Sequence, residues 1–173
     1  MKETKKYHKN GKLHIQYYEL GCKMHGEFKR WYDNGQLQVH TDYVNNQMHG
    51  EHKSWHPNGQ MYLLTKYVNN ELHGEYKQWY ENGQPYIHKY YENDQLCGEY
   101  KWWHPNGQLR IHTYYVNDRF HGEYKGWDEQ GNLTNHSFWV HGKEVTKQVD
   151  KLVSNRYNIT QEERTLIKLA VGC

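Results

Sequence analysis

One short phrase returns every 24 residues along this chain, and that period constrains the fold more than any other feature. His25-Gly26, His49-Gly50, His73-Gly74, Cys97-Gly98 and His121-Gly122 mark the step, and Trp31, Trp55, Trp79, Trp103 and Trp127 follow at a constant offset. Asn34-Gly35, Asn58-Gly59, Asn82-Gly83 and Asn106-Gly107 keep the same spacing, with Asn10-Gly11 before them and Gln130-Gly131 after. A fixed period of this length marks an array of stacked units, each burying its apolar face against its neighbours. Most of the sequence is then committed to being a repeat, and little is left for unique chemistry.

Each period reads as two strands and two turns. In the unit that begins at His49, the strand Gly50 to Trp55 is followed by His56-Pro57-Asn58-Gly59, and a second strand, Gln60 to Val68, ends at Asn69-Asn70. Pro57 and Pro105 fix φ near −65°, which suits position i+1 of a type I turn and excludes a type I′ turn. The glycine two residues on then takes the left-handed conformation of a bulged three-residue hairpin loop, so Gly35, Gly59, Gly83 and Gly107 are expected at φ > 0. Asn45-Asn46, Asn69-Asn70, Asn93-Asp94 and Asn117-Asp118 suit two-residue type I′ turns, because Asn and Asp best tolerate φ > 0 among non-glycine residues. No stretch between these turns has a helical period. The expected product is a single-layer antiparallel β-meander of about twelve strands, roughly 55 Å long at ~4.8 Å per strand.

The bulged loop also sets a register. It pairs Trp55 with Met61, and likewise Trp31 with Leu37, Trp79 with Pro85, Trp103 with Leu109 and Trp127 with Leu133. Carried straight on, that register places Leu63, Thr65 and Tyr67 opposite Lys53, Glu51 and His49, and Lys89 opposite Glu75. On the other face it sets His40 against Phe28, His88 against Tyr76, His112 against Tyr100 and His136 against Tyr124. It also covers the bare backbone of Gly74, Gly98 and Gly122 with Tyr90, Tyr114 and Phe138.

Only 35% of the 173 residues are hydrophobic, which is low for a globular core, yet there are 17 Tyr, 7 Trp and 3 Phe. Since these aromatics recur in register, stacked ladders of rings are expected to replace a two-layer core. The charges of residues 1–142 balance, 16 Lys and Arg against 16 Asp and Glu, and the tail supplies the formal +2. That balance argues against nucleic acid, whose binders depend on a phosphate-attracting field. It also gives little support to an anionic membrane surface. No apolar run approaches a membrane span, and the N-terminal residues lack a signal peptide's apolar stretch. Cys22, Cys97 and Cys173 are odd in number and scattered, which suits a reduced, intracellular setting.

The unit H-G-E-Y-K-x-W-Y-E-N-G-Q, closed by Y-x-N-G-x-L-H-G, resembles the MORN repeat variant. Tyr76-Lys77-Gln78-Trp79-Tyr80-Glu81-Asn82-Gly83-Gln84 matches it almost letter for letter. The resemblance covers residues 5–142 as five repeats and a partial first one, in which Tyr7 takes the Trp place. This chain departs from the pattern with Asn-Asn or Asn-Asp where Asn-Gly is common, and with Cys97 for His. The resemblance implies an elongated repeat scaffold. Its members include bacterial proteins, some described as antitoxins, giant-virus proteins and membrane-proximal adaptors.

The tail, 143–173, differs in kind. Val145, Val149, Leu152 and Val153 fall at helical spacing. Thr160 with Glu163 forms a capping box ahead of Leu166, Ile167, Leu169 and Ala170. A short helical cap over the last strand is expected, since an open meander otherwise leaves a row of unpaired backbone groups there.

No catalytic, cofactor or metal residue stands out. Equivalent histidines such as His25, His49 and His73 lie two strands apart, about 9.6 Å, too far to share an ion with bonds of ~2.0–2.1 Å. They are expected to act as aromatic filler that also donates a hydrogen bond at the turn. Glu51, Glu75 and Glu99 with Lys53, Lys77 and Lys101 repeat without a unique neighbour, as a charge-balanced sheet surface does. No phosphate loop, nucleophile elbow or zinc-protease motif occurs. The chain reads as non-enzymatic, with a protein partner as the favoured ligand. Trp31, Trp55, Trp79, Trp103, Trp127 and the glycines Gly26, Gly35, Gly50, Gly59, Gly74, Gly83, Gly98, Gly107 and Gly122 define the repeat.

Overall fold

A computed structural model describes residues 1–146. Its strands are β1 (Lys2–Tyr7), β2 (Leu13–Leu20), β3 (Lys23–Trp31), β4 (Leu37–Val44), β5 (Gln47–Trp55), β6 (Met61–Val68) and β7 (Glu71–Trp79). They continue as β8 (Pro85–Glu92), β9 (Gln95–Trp103), β10 (Leu109–Val116), β11 (Arg119–Phe120), β12 (Gly122–Trp127), β13 (Leu133–Val140) and β14 (Lys143–Glu144). Every pairing is antiparallel between chain neighbours except that β10 pairs both β11 and β12. The result is one open 14-stranded meander, not a barrel or a sandwich. The two strands beyond the expected count are short: His121 cuts β11 from β12, and β14 occupies Lys143–Glu144, where the helical cap was expected to begin. The remainder of that expected cap lies outside the described residues.

Both turn types follow the sequence chemistry. Gly59 sits at φ 88°, its N–H donates to His56 O at 2.9 Å, and His56 N–H donates to Gln60 O at 2.8 Å, closing the three-residue loop. Asn45 and Asn46, at φ 52° and 70°, form the type I′ turn. A Cβ on Gly59 would stand 3.1 Å from Gln36 Oε1 of the preceding repeat. Gly59→Ala is therefore expected to cost about 1 kcal/mol through left-handed strain, read as a lowered thermal midpoint.

The register corrects the sequence reading beyond the first pair of each hairpin. Trp55 pairs with Met61 as expected, but Ser54 then pairs with Leu63 and leaves Tyr62 as an extra residue. This one-residue bulge recurs at Gln38, Tyr86, Arg110 and Thr134 and moves every later pair by one. Leu64, not Leu63, faces Lys53; Lys66, not Thr65, faces Glu51; Tyr67 faces Gly50 rather than His49. Tyr90, not Lys89, faces Glu75. Phe28, Tyr76, Tyr100 and Tyr124 face Thr41, Lys89, Thr113 and Ser137 instead of the four histidines. Gly74, Gly98 and Gly122 pair with Tyr91, Tyr115 and Trp139 rather than with Tyr90, Tyr114 and Phe138. The expected ring cover does not follow: a Cβ on Gly74 would meet nothing within 4 Å among the described residues, and the ring beside Gly98 is that of Tyr90, 3.9 Å from where a Cβ would stand. A second irregularity surrounds each His-Gly step. His49, Gly50 and Glu51 together oppose Asp42, with Gly50 at φ 91°.

The shifted register builds a core on one face, the Thr face. Thr41 and Thr65 are 2% exposed and Thr113 1%, although no second layer covers them among the described residues. Rings enclose them instead. Phe28 meets Tyr43 edge-on at 6.0 Å, His52 meets Tyr67 at 5.9 Å, Tyr76 meets Tyr91 at 5.9 Å, and Tyr100 packs on Tyr115 at 5.5 Å. Burial pushes the Tyr100 phenol up to about 12. Lys89 interrupts the Thr column, and its Nζ lies 4.5 Å and 5.0 Å from the rings of Tyr76 and Tyr91, a pair of cation–π contacts.

Candidate functional site

The opposite face carries an apolar stripe across a charged field. Each Trp ends a strand just before the bulged turn, and the residue it pairs with opens the next strand. The chain thus lays Trp31, Leu37, Trp55, Met61, Trp79, Pro85, Trp103, Leu109, Trp127 and Leu133 side by side along the sheet's axis. Between Trp79 and Trp103 an open slot of about 310 Å³ is lined by those two rings with Pro85, Ile87, Lys77 and His88.

Hydrogen bonds between repeats hold this row in place. Tyr32 and Tyr80 donate from their hydroxyls to the carbonyls of Trp55 and Trp103, each at 2.8 Å. His8, His56 and His104 donate from Nε2 to the carbonyls of Trp31, Trp79 and Trp127 at 2.9, 3.0 and 2.9 Å. Asn34, Asn58, Asn82 and Asn106 donate from Nδ2 to Pro57, Glu81, Pro105 and Glu129 carbonyls at 2.8–3.0 Å. At the other turns, Asn46, Asn70, Asp94 and Asp118 accept at Oδ1 from the backbone N–H of Met24, Met48, Leu72 and Leu96, at 2.7–2.8 Å. That last set explains the residue at the second turn position: a glycine there has no oxygen to offer the neighbouring repeat. The Trp row is a pre-formed surface, so a ligand would not have to order it.

Beside the Trp row, each repeat holds one carboxylate in a small charge cluster. Lys29, Lys77 and Lys101 lie 2.8 Å from Glu27, Glu75 and Glu99, Lys53 2.6 Å from Glu51, and Lys125 2.9 Å from Glu123. His112 and His136 donate from Nε2 to Glu99 and Glu123 at 2.9 and 2.8 Å. His40 and His88 come within 3.2 and 3.4 Å of Glu27 and Glu75, but the angle is too poor for a hydrogen bond. The hydrogen bond from Lys77 is the main reason the Glu75 carboxyl titrates below its ordinary range. Glu99 is pushed up by burial, but the hydrogen bonds from Lys101 and His112 outweigh that and leave it lowered.

These shifts fix the sign of the acid response. Burial, with Arg30 nearby on the Thr face, depresses His52, and burial with Lys77 depresses His88, each from an ordinary 6.5. The folded chain thus binds fewer protons than the unfolded one, so this stability is complete above pH 6.5 and lost below it. The lowered carboxylates act in the same direction at lower pH, below their ordinary 4.5. The urea midpoint is expected to fall steadily from pH 7 to pH 4; a midpoint that rises on acidification would contradict these assignments.

The five expected Trp positions thus lie in one row, and Gly35, Gly59, Gly83 and Gly107 sit in the turns beside it at φ 82–94°. Gly26, Gly50, Gly74, Gly98 and Gly122 also have positive φ, 71–94°, at the far ends of the hairpins. The histidines of the His-Gly step do not fully play their expected part. Nδ1 of His25, His73 and His121 is buried and forms no hydrogen bond among the described residues. The histidines that bond at a turn are His8, His56 and His104, which share their position with Tyr32 and Tyr80, and only that alternation hinted at them. Arg110 was also missed; its guanidinium lies 3.9 Å above the Trp102 ring. Among the described residues no three His, Cys, Asp or Glu side chains converge on a point that could hold a metal ion.

The MORN repeat variant family matches residues 24–45, 48–69, 72–93 and 96–117, together just over half of the chain. Each match ends within a type I′ turn, at Asn45, Asn69, Asn93 or Asn117, so the family unit is the structural hairpin. No curated protein matches the chain.

Proposed function

Since the chain belongs to the MORN repeat variant family, whose repeats are associated with protein or membrane interactions, we propose that it is a non-enzymatic scaffold that binds a protein partner. The observation that carries this reading is the Trp stripe, a rigid apolar surface open to solvent on a face whose charges neutralise one another. Aromatic residues in such settings dominate binding energy at protein interfaces. A catalytic centre breaks symmetry, whereas here Glu27, Glu51, Glu75, Glu99 and Glu123 each have the Lys two residues on as neighbour, repeat after repeat. Free Cys22 and Cys97 suit a reduced, intracellular setting.

Membrane binding is the second reading, and the family association is what favours it. The two separate cleanly. Anionic vesicles should retain the protein at low salt and release it at high salt if lipid is the ligand. Under the scaffold reading the protein stays in the supernatant at both salt concentrations, and cross-linked capture from the native host yields a partner that Trp79→Ala loses. A captured enzyme whose activity the protein blocks would make the scaffold an antitoxin. A captured particle protein would make it a virion component.

A further inference from the structure

The Trp stripe has a period as well as a composition, and the period discriminates between occupants. Successive Trp rings of the row sit two strands apart, about 9.6 Å at ~4.8 Å per strand. A polyproline II helix advances ~3.1 Å per residue with three residues per turn, so every third side chain returns to the same side at ~9.3 Å. Over the four steps from Trp31 to Trp127 the two repeats drift apart by only about 1.2 Å. An α-helix presents one face at i and i+7, ~10.5 Å apart, and drifts by about 3.6 Å over the same four steps. A β-strand laid along the stripe returns same-side residues at ~6.7 or ~13.4 Å and does not match the ring spacing.

Charge complementarity points the same way. Lys77, on the slot wall, is bonded to Glu75 at 2.8 Å, and His88 lies 3.4 Å from the same carboxylate. The slot thus presents no unpaired charge to draw in an acidic or a basic peptide. What it presents are indole rings and their N–H groups. The Trp139 indole donates to Ser137 Oγ at 2.9 Å, but none of the five row indoles reaches a protein acceptor among the described residues. A polyproline II chain makes no internal hydrogen bonds, so its carbonyls are free to accept, and its ordering cost is low.

We propose that the Trp stripe binds an uncharged, proline-rich peptide in the polyproline II conformation, with every third residue placing an apolar side chain between successive Trp rings and one of them entering the slot at Pro85. This names the partner class of the scaffold reading and rests on it. The test titrates the full chain with synthetic uncharged peptides of about twelve residues, long enough for the four intervals between the five Trp rings at three residues each. One peptide carries leucine at every third position of a proline background. A second has the same composition with the same leucines moved off the three-residue period, and a third is an uncharged amphipathic helix.

The expected result is saturable binding of the first peptide, at least about tenfold tighter than either other, and weakened at least tenfold by Trp103→Ala. The peptide comparison uses the unaltered protein, so a folding defect in the variant cannot conceal the answer. Equal binding of the first two peptides, tighter binding of the helix, or no binding at millimolar concentration overturns the proposal. If the peptides fail while a host partner is still captured through Trp79, this inference falls and the scaffold reading stands; if neither binds, both fall.

Discussion

Thr113→Asp is expected to lower the unfolding free energy by about 3–5 kcal/mol, while Thr113→Val raises it by about 1 kcal/mol. Thr113 is 1% exposed within a sheet one layer thick, because Tyr100 lies opposite it and Tyr115 packs against that ring. An aspartate in its place would be a buried charge without a partner. The neighbouring cation in that column, Lys89, is engaged by the rings of Tyr76 and Tyr91. Valine has nearly the same shape and removes a liability, since the Thr113 hydroxyl is buried and has no hydrogen-bond partner among the described residues. It also suits a strand. Urea unfolding of both variants measures the contrast. A valine variant less stable than the parent would mean that the hydroxyl is satisfied after all, and the account of the Thr column would have to be redrawn.

That column also marks where sequence reasoning stopped. The period, the turn types and the Trp–Leu pairs were legible because Pro57, Gly59 and Asn69-Asn70 each have a distinct backbone preference. The register beyond was not legible. Tyr62, Tyr86 and Arg110 are ordinary strand residues, and nothing in their alternation says that one of them is extra. A single unrecognised bulge then assigned four histidines to the Thr face, where Thr41, Lys89, Thr113 and Ser137 stand. The charge clusters on the Trp face were half visible: the Lys–Glu spacing of two residues was plain, but the histidine that completes a cluster comes from the neighbouring strand. The bonds between repeats were hidden for another reason. Asn58 to the Glu81 carbonyl, or Tyr32 to the Trp55 carbonyl, links residues 23 apart that meet only once the hairpins stack. The Trp row itself was read as a structural marker; its openness between Trp79 and Trp103 is a property of the packed sheet alone.

Removing one period, residues 73–96, is expected to leave a folded, shorter sheet that no longer captures its partner. The junction joins Leu72 to Cys97, and each lost contact has a replacement at the same offset. His56 meets the Trp103 carbonyl in place of Trp79, Asn58 meets Pro105 in place of Glu81, and Leu72 N–H meets the Asp118 carboxylate in place of Asp94. In a one-dimensional array stability is close to a sum of unit and neighbour terms, so the deletion costs one unit and one interface rather than the fold. The denaturant slope should fall by about one-seventh, in line with the surface removed. Function should suffer more. The slot lined by Trp79, Pro85 and Trp103 is lost with its proline, and the row shortens from five rings to four, so an extended ligand loses its slot and one of its ring intervals. Circular dichroism and urea melts read the first half of this prediction, and partner capture the second. An unfolded deletion variant would show that these repeats are not interchangeable. A folded one that binds unchanged would move the binding surface away from the Trp row.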